Sequence, residues 1–524
     1  MFRKYTSYIA GGILVVASVA GISIYTAIQH PRDWQYAEEK SKNTVVQVFA
    51  QHTTFNWLEP YKAPQQSQGM GTAFFIDKEG HLLTNFHVID QAKSIQIGIP
   101  ALGKKLVDAT VVGTCPESDV ALLKLTDEGL EEVYRILKKV PFLKLGDSDA
   151  LYRTQEVLAL GFPLGFRYLK GTVGVIAGRE FLDGMCYMHI TAPINQGNSG
   201  GPLLNRLGEV VGVNTAVISI YNDGERQMAA QNVGYIVPIN DIKAYLKSMH
   251  SQKLVRKPVF GTAYNNSTLE LTRSLNNPMP GGLYINDVVK DSVADKIGIK
   301  VGDMLYEING FSVDQFGDVS VEWRSSEQVS LEEFLVRLPI EAPLNVVVYR
   351  KGKKVVLKGT YQELALPPIR YIYPDYEHEA IDYEIFGGLC IQQLRVNHFK
   401  YLSQTPLLQE YMRPDRQDKE VLVITRILPG SYIHKIRCLY EGALLDEVNG
   451  KPVRNLKELR KALEDSIKKG EVALKTKDKV YTVVSLDAIL QDEERIARDF
   501  VFSTTKTMQT LKEGRKALNV ASTK

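Results

Sequence analysis

Between Thr44 and Pro238 the chain breaks into short β-like runs, and this pattern constrains the fold more than any other feature. Val45-Val46-Gln47-Val48-Phe49, Thr72-Ala73-Phe74-Phe75-Ile76, Ala109-Thr110-Val111-Val112, Val120-Ala121-Leu122-Leu123, Val173-Gly174-Val175-Ile176 and Val210-Val211-Gly212-Val213 are such runs. Turn formers such as Asp77-Lys78-Glu79-Gly80 and Asn205-Arg206-Leu207-Gly208 separate them. Many short strands with regular turns predict a barrel or a sandwich. A helix-like stretch, Asp241–Met249, closes the section, with Asn240 as its expected N-cap.

The chain has 524 residues, too many for one core. At roughly 150 residues per domain it predicts about three. A formal charge of +3 excludes a strongly basic nucleic-acid binder. Four cysteines exclude a disulfide-stapled scaffold; Cys115, Cys186, Cys390 and Cys438 read as buried thiols, with one disulfide per pair left open.

The second half carries a repeat. Gly302-Asp303-Met304-Leu305-Tyr306-Glu307-Ile308-Asn309-Gly310 matches Gly442-Ala443-Leu444-Leu445-Asp446-Glu447-Val448-Asn449-Gly450 at an offset of 140 residues. An amphipathic helical run follows each copy: Leu331, Phe334, Leu335 and Leu338 in the first, Leu456, Leu459 and Leu463 in the second, capped by Asn455. Two homologous modules are expected.

At the N-terminus, Ile9–Ile28 is twenty residues without a charge, following Arg3 and Lys4. Such a run spans a hydrocarbon core of ~30 Å as a helix. It predicts a transmembrane anchor, with a cleaved signal peptide (a small-residue site at Ser18 and Ala20) as the alternative.

Chemistry is concentrated in three motifs. In Gly197-Asn198-Ser199-Gly200-Gly201-Pro202, glycines flank a serine and leave its backbone amides able to face a substrate carbonyl. A serine hydroxyl needs a base to become a nucleophile. Thr84-Asn85-Phe86-His87-Val88-Ile89 supplies a histidine, and Ser118-Asp119-Val120-Ala121-Leu122-Leu123 an aspartate. The order His87, Asp119, Ser199 is that of the chymotrypsin-type triad.

With Thr191-Ala192-Pro193-Ile194-Asn195-Gln196 leading into the serine motif and Asn232-Val233-Gly234-Tyr235-Ile236-Val237-Pro238 beyond it, the sequence resembles the HtrA/Deg serine proteases. The resemblance covers roughly residues 44–480 and implies a mainly β fold: a trypsin-like double β-barrel followed by two α+β PDZ-like domains. The expected organisation is an anchor or signal segment over 1–28, a linker over 29–43, the protease over 44–250 and PDZ domain 1 over 255–364. A linker over 365–383, a divergent PDZ-like domain 2 over 384–486 and a solvated, charged helical tail over 487–524 follow.

The resemblance makes Ser199 the nucleophile, His87 the general base and then acid, and Asp119 the residue that fixes the imidazole. It places the oxyanion hole at the amides of Gly197 and Ser199, with Asn198 shaping the turn. The substrate pocket is expected at Ile194, Asn195, Asn214, Thr215, Ala216 and Tyr235, which offer no carboxylate and suit a small apolar side chain. PDZ domain 1 would take a peptide C-terminus at Phe260-Gly261-Thr262. Phe386-Gly387-Gly388-Leu389 is the equivalent loop in domain 2, where a structural or docking role is as well supported. Loops at Gly165–Gly171, Glu180–Tyr187 and Ile218–Gln231 are those a PDZ-bound peptide would reorder.

The implied function is an endopeptidase for unfolded or damaged proteins in an extracytoplasmic space, the bacterial periplasm first, in protein quality control and stress response. It needs no cofactor or metal, contacts no nucleic acid, is tethered through its N-terminal segment and forms a homotrimer or higher oligomer. Secretion or an organelle lumen would follow signal cleavage. A non-proteolytic chaperone or PDZ adaptor is the alternative function.

Overall fold

The computed structural model describes residues 34–182, 184–215, 220–223, 226–229, 234–322, 328–362, 365–377, 381–402 and 404–522. The expected membrane segment, Ile9–Ile28, lies outside them; among the described residues no helix is long and apolar enough to cross a membrane. The chain forms two compact units. The first gathers residues up to Gln51, Gln68–Lys257 and Asp318–Ile340, and the second gathers His52–Ser67, Pro258–Gly317 and Glu341–Lys524.

The first unit is built on two closed barrels. Strands β1 (Val45–Thr54), β2 (Gln65–Phe75), β3 (His81–Thr84), β4 (Ala92–Gly98), β5 (Leu106–Cys115) and β6 (Val120–Leu125) close in the order β1-β2-β3-β6-β5-β4. Strands β7 (Glu156–Gly161), β8 (Lys170–Leu182), β9 (Met185–Ile190), β10 (Pro202–Leu204) and β11 (Val210–Thr215) form most of the second. A hairpin of β12 (Ile220–Asp223) and β13 (Arg226–Ala229) precedes β14 (Gly234–Pro238), which completes that barrel in the order β10-β11-β14-β9-β8-β7. Closure removes the exposed edges that strands this short would otherwise present. Alternation drives the inward face: Ile95 and Ile97 of β4 are buried, whereas Ser94 and Gln96, which alternate with them, are only partly buried. Phe74, Leu83 and Leu122 of the first barrel share one core with Leu158, Leu204 and Val213 of the second and with Tyr245; Val157, Met188, Val211 and Ile236 form a separate core in the second barrel.

The closing helix, Ile239–Ser251, starts earlier than the sequence suggests, with Pro238 at its N-cap. Asn240 is therefore not a cap. Its amide reaches Asp147 at 2.6 Å and Asp149 at 2.7 Å instead. Ile239, Ile242, Tyr245 and Met249 recur at helical spacing and are fully buried.

Residues Asp318–Ile340, within the span expected for PDZ domain 1, belong to this unit too. β19 (Asp318–Val319) pairs with β20 (Val329–Ser330), and the helix Leu331–Val336 follows, capped by Ser330. Its polar residues face protease residues. The Cys186 thiol donates to Glu333 at 3.2 Å, and Arg337 grips Asp149 with two nitrogens at 2.6 Å each.

The second unit holds two related sheets. β15 (Thr262–Asn265), β16 (Leu283–Val288), β17 (Met304–Ile308), β21 (Ala342–Arg350) and β22 (Lys353–Tyr361) lie in that order, with β18 (Phe311–Ser312) paired to β17. β23 (Tyr383–Phe386), β24 (Leu389–Gln393), β25 (Leu422–Ile427), β26 (Leu444–Val448), β28 (Glu471–Thr476) and β29 (Tyr481–Ser485) form the other, with β27 (Lys451–Pro452) on β26. The sequence repeat is one structural device used twice. Asn309-Gly310 and Asn449-Gly450 all have positive φ and turn β17 into β18 and β26 into β27. Asn455 caps the helix Leu456–Glu464 as expected, accepting from the Glu458 amide at 3.0 Å.

Two stretches pack more than their composition suggests. In the expected linker, Ile369 is buried in one cluster with Leu394 and Leu408, Ile372 is buried too, and Asn397 bonds both polar groups of the Ile372 backbone. The end of the chain is not a frayed tail. Helices Leu486–Phe500 and Lys506–Ser522 bury Leu486, Ile489, Met508 and Leu511 in the core of the second PDZ-like domain. Their charges occupy the opposite faces, which conceals the apolar stripe in the composition.

Residues 52–67, from the end of β1 to the start of β2, also lie in this unit. The Gln392 amide donates to the Trp57 carbonyl at 2.7 Å, and the Thr425 hydroxyl to that of Leu58 at 2.9 Å. The Trp57 ring meets His398 edge-on at 5.6 Å.

Candidate active site

Asp119 directly precedes strand β6 of the first barrel. It follows the short turn Pro116–Ser118 with φ 48° and ψ 44°, a left-handed conformation that aspartate tolerates better than most residues. This places its carboxylate beside His87. Nδ1 of His87 lies 2.8 Å from Oδ2 and 3.0 Å from Oδ1, and the His87 amide donates to Oδ1 at 3.0 Å. The Asn85 side chain donates to the Asp119 carbonyl at 2.8 Å, so turn and histidine are tied at two points. From the second barrel, the Thr215 hydroxyl donates to Oδ2 at 2.9 Å.

This arrangement fixes the tautomer. An ionised carboxylate only accepts, so Nδ1 carries the proton and Nε2 presents a lone pair. Burial pushes the imidazole pKa down, yet the hydrogen bond and charge of Asp119, helped by the charge of Asp90, hold it above the ordinary histidine value of 6.5.

Ser199 is buried on a turn whose peptide groups are individually pinned. The Gln196 carbonyl accepts from the Leu164 amide at 2.7 Å, and the Asn198 carbonyl from the Gly201 amide at 3.0 Å. A trans peptide sets its N–H opposite its C=O. The Gly197 and Ser199 amides are thereby turned away from Leu164 and Gly201. Gly197 adopts φ 97°, and a Cβ there would fall 2.4 Å from the Phe162 carbonyl oxygen, so only glycine fits.

The turn also reaches the first barrel. The Thr72 amide donates to the Ser199 carbonyl at 2.9 Å. Gly200, at φ 85°, sits so close to Thr84 that a Cβ would fall 2.2 Å from its hydroxyl oxygen. The serine turn is thus seated against the strand that leads into His87, with Asp119 behind the histidine.

The remaining expected site residues are distributed more widely. Asn214 is buried and donates to the Leu160 carbonyl at 2.9 Å; its backbone exchanges bonds with Gly200 and Gly201. It braces the serine turn. Thr215 serves Asp119. Ile194 is partly buried beside the second-barrel core, Asn195 is exposed, and Tyr235 is buried edge-on to His189 at 4.5 Å. Ala216 lies outside the described residues, as does part of Ile218–Gln231.

Phe260-Gly261-Thr262 stands in the second unit, at the start of β15. The Phe260 and Gly261 carbonyls accept from Ala294 at 2.9 Å and Val289 at 2.8 Å, which turns the Gly261 and Thr262 amides to the other side. β15 is an edge strand of its sheet.

Thr72 and Leu164 were not anticipated. Thr72 reads as one more strand residue, and Leu164 contributes only a backbone amide, which no side-chain motif can signal.

Comparison with known proteins agrees with the architecture. Residues 71–213 match the trypsin-like peptidase domain, and residues 284–331 and 373–506 each match a PDZ domain. The chain is 32% identical over 305 residues to a probable periplasmic serine endoprotease DegP-like of Marinomonas sp., covering 57% of this chain and 58% of that protein. It is 27% identical over 406 residues to the periplasmic serine endoprotease DegP of Salmonella typhimurium, covering 76% and 73%. The solved HtrA-type protease AlgW with decapeptide is 25% identical, with a TM-score of 0.47, and covers 64% of this chain and 100% of that one. The match to the first relative spans little more than half of its length.

Fold and matches together define a trypsin-like peptidase domain followed by PDZ domains. The relatives it matches are DegP and DegP-like serine endoproteases.

Proposed function

We propose that this chain is an active serine endopeptidase that cuts unfolded or damaged proteins in an extracytoplasmic compartment. The observation that carries this reading is the Asp119 carboxylate, held by His87 at both its ring and its amide and by Thr215 from the other barrel. Ser199 Oγ attacks the substrate carbonyl carbon as His87 Nε2 takes its proton. The amides of Gly197 and Ser199 stabilise the oxyanion of the tetrahedral intermediate. His87 then protonates the leaving amine as the C–N bond breaks, and water hydrolyses the acyl-enzyme by the same steps with Ser199 restored.

The residues around the turn suit a modest apolar substrate side chain, since Ile194, Asn195, Thr215 and Tyr235 present no carboxylate to pair a basic one. A peptide C-terminus binds at Phe260-Gly261-Thr262 and adds a strand to β15. That event shifts the loops Gly165–Gly171, Glu180–Tyr187 and Ile218–Gln231 toward the active arrangement. The second PDZ-like domain docks residues 52–67. The N-terminal segment Ile9–Ile28 tethers the enzyme, which works as a trimer or higher oligomer.

Casein digestion by residues 29–524, beside Ser199→Ala, tests the reading. Cleavage by the first alone is expected. Equal cleavage by both would overturn the assignment of Ser199, and inactivity of both, with or without an added C-terminal peptide, would favour the chaperone or adaptor.

A further inference from the structure

Thr72 lies on β2 of the first barrel and is fully buried. Its hydroxyl donates to the Gly197 carbonyl at 2.7 Å and accepts from the Phe162 amide at 3.1 Å. Phe162 opens the short turn Pro163–Gly165, whose Leu164 amide holds the Gln196 carbonyl. One hydroxyl therefore joins three segments: the strand leading toward His87, the turn after β7 and the peptide group next to the Gly197 amide.

Gly197 has no side chain and adopts φ 97°, so its own packing cannot fix the two peptide planes that meet there. The Gln196–Gly197 plane is set by Leu164. The Gly197–Asn198 plane is set by Thr72 on one side and by the Asn198 amide, donating to Asn195 at 2.9 Å, on the other. An oxyanion hole is useful only when its donors are aimed before charge develops.

We infer that Thr72 is a positioning residue of the oxyanion hole, its hydroxyl fixing the Gly197–Asn198 peptide plane beside the Gly197 donor amide, and the Phe162 turn behind it, without touching substrate. The inference rests on the peptidase reading proposed above. Losing the hydroxyl leaves the Gly197 carbonyl and the Phe162 amide unpaired in a buried site, and either peptide can turn to recover a partner.

The test compares residues 29–524 with Thr72→Val, Thr72→Ala and Thr72→Ser on a chromogenic peptide, with folding checked by circular dichroism. Valine keeps the branched shape and removes the hydroxyl. Its kcat should fall about 10- to 100-fold with KM nearly unchanged, and serine should recover most of the loss. Affinity for a peptide boronic acid, which mimics the tetrahedral oxyanion, should weaken in parallel. Substrate affinity measured in the Ser199→Ala background should not change. If valine disturbs folding, alanine is read on the folded protein in the same way. Unchanged kcat and boronate affinity in a folded Thr72→Val or Thr72→Ala would overturn the inference. So would a loss that serine does not rescue, which would mark a merely structural residue. Failure of the peptidase reading is distinct: the unsubstituted protein would then be inactive.

Discussion

Gly261 and Gly388 hold equivalent places in the two PDZ domains. Their φ angles are 81° and 90°, and each carbonyl accepts a backbone bond at 2.8 Å, from Val289 and Leu428. A Cβ on Gly261 would fall 2.1 Å from the Cβ of Ser292; on Gly388, 2.2 Å from that of Ser431. The strands that follow differ. β15 is an edge strand, whereas β24 is paired along its outer side by β23, residue for residue from Phe386↔Leu389 to Tyr383↔Gln392. A peptide can join the first sheet, while the chain itself fills the corresponding place in the second. A photoreactive apolar C-terminal peptide should therefore label residues 260–265 and not 386–393, as read by mass spectrometry. Labelling of 386–393 would show that β23 yields its place.

β23 is fastened by charge. Glu384 is fully buried and takes Arg460 Nε at 2.9 Å and the Thr507 hydroxyl at 2.8 Å, and Arg460 also spans Asp382 at 2.7 Å. Arg460→Ala leaves an uncompensated buried carboxylate. The expected cost is about 2–3 kcal/mol, moderated by the remaining hydroxyl donors. Urea unfolding followed at the second PDZ-like domain checks it, and adding Glu384→Gln should recover part of the loss.

Arg337 performs the comparable task in the first unit. It faces Asp149 and, at 3.4 Å, Asp241, all three largely buried. Burial pushes the Asp149 carboxyl up, but Arg337 overrides this and holds it below its ordinary value. Burial wins at Asp241, raised to about 6 despite Arg337. Arg337→Met should destabilise this unit by about 3–5 kcal/mol near neutral pH. The deficit should shrink as pH falls below about 5, because protonation then removes the unpaired charges. A deficit that grows on acidification would contradict this reading.

Catalysis needs His87 neutral. With its pKa held above 6.5, kcat/KM should rise with pH and reach half its plateau above that value. Activity is lost as pH falls through the folded-state pKa, since imidazolium cannot accept the Ser199 proton. Asp119→Asn removes the charge that raises the pKa and permits the wrong tautomer. Its activity should drop about 10³- to 10⁴-fold, measured at the pH plateau.

The barrels, the repeated domains and the motifs around His87, Asp119 and Ser199 were legible because each rests on local chemistry. Glycines must surround Ser199, an Asn-Gly turn must follow β17 and β26, and strands must alternate in hydropathy. What the sequence concealed depends on contacts between distant segments. Thr72 meets Gly197 across 125 residues, and Trp57 meets Gln392 across 335. The same holds for β23, since nothing in Tyr383–Phe386 says whether the strand beside it is its own or a ligand's. The C-terminal helices were misread because their charged faces dominate the composition while Met508 and Leu511 are buried.

The central claim is that Ser199 is a nucleophile made reactive by His87. Its most direct test is intact-mass analysis of residues 29–524 after treatment with a fluorophosphonate, which reacts only with an activated serine. One adduct, mapped to Ser199, absent in Ser199→Ala and strongly slowed in His87→Ala, is the predicted result. An adduct that persists in Ser199→Ala, or one that forms equally fast in His87→Ala, would contradict it.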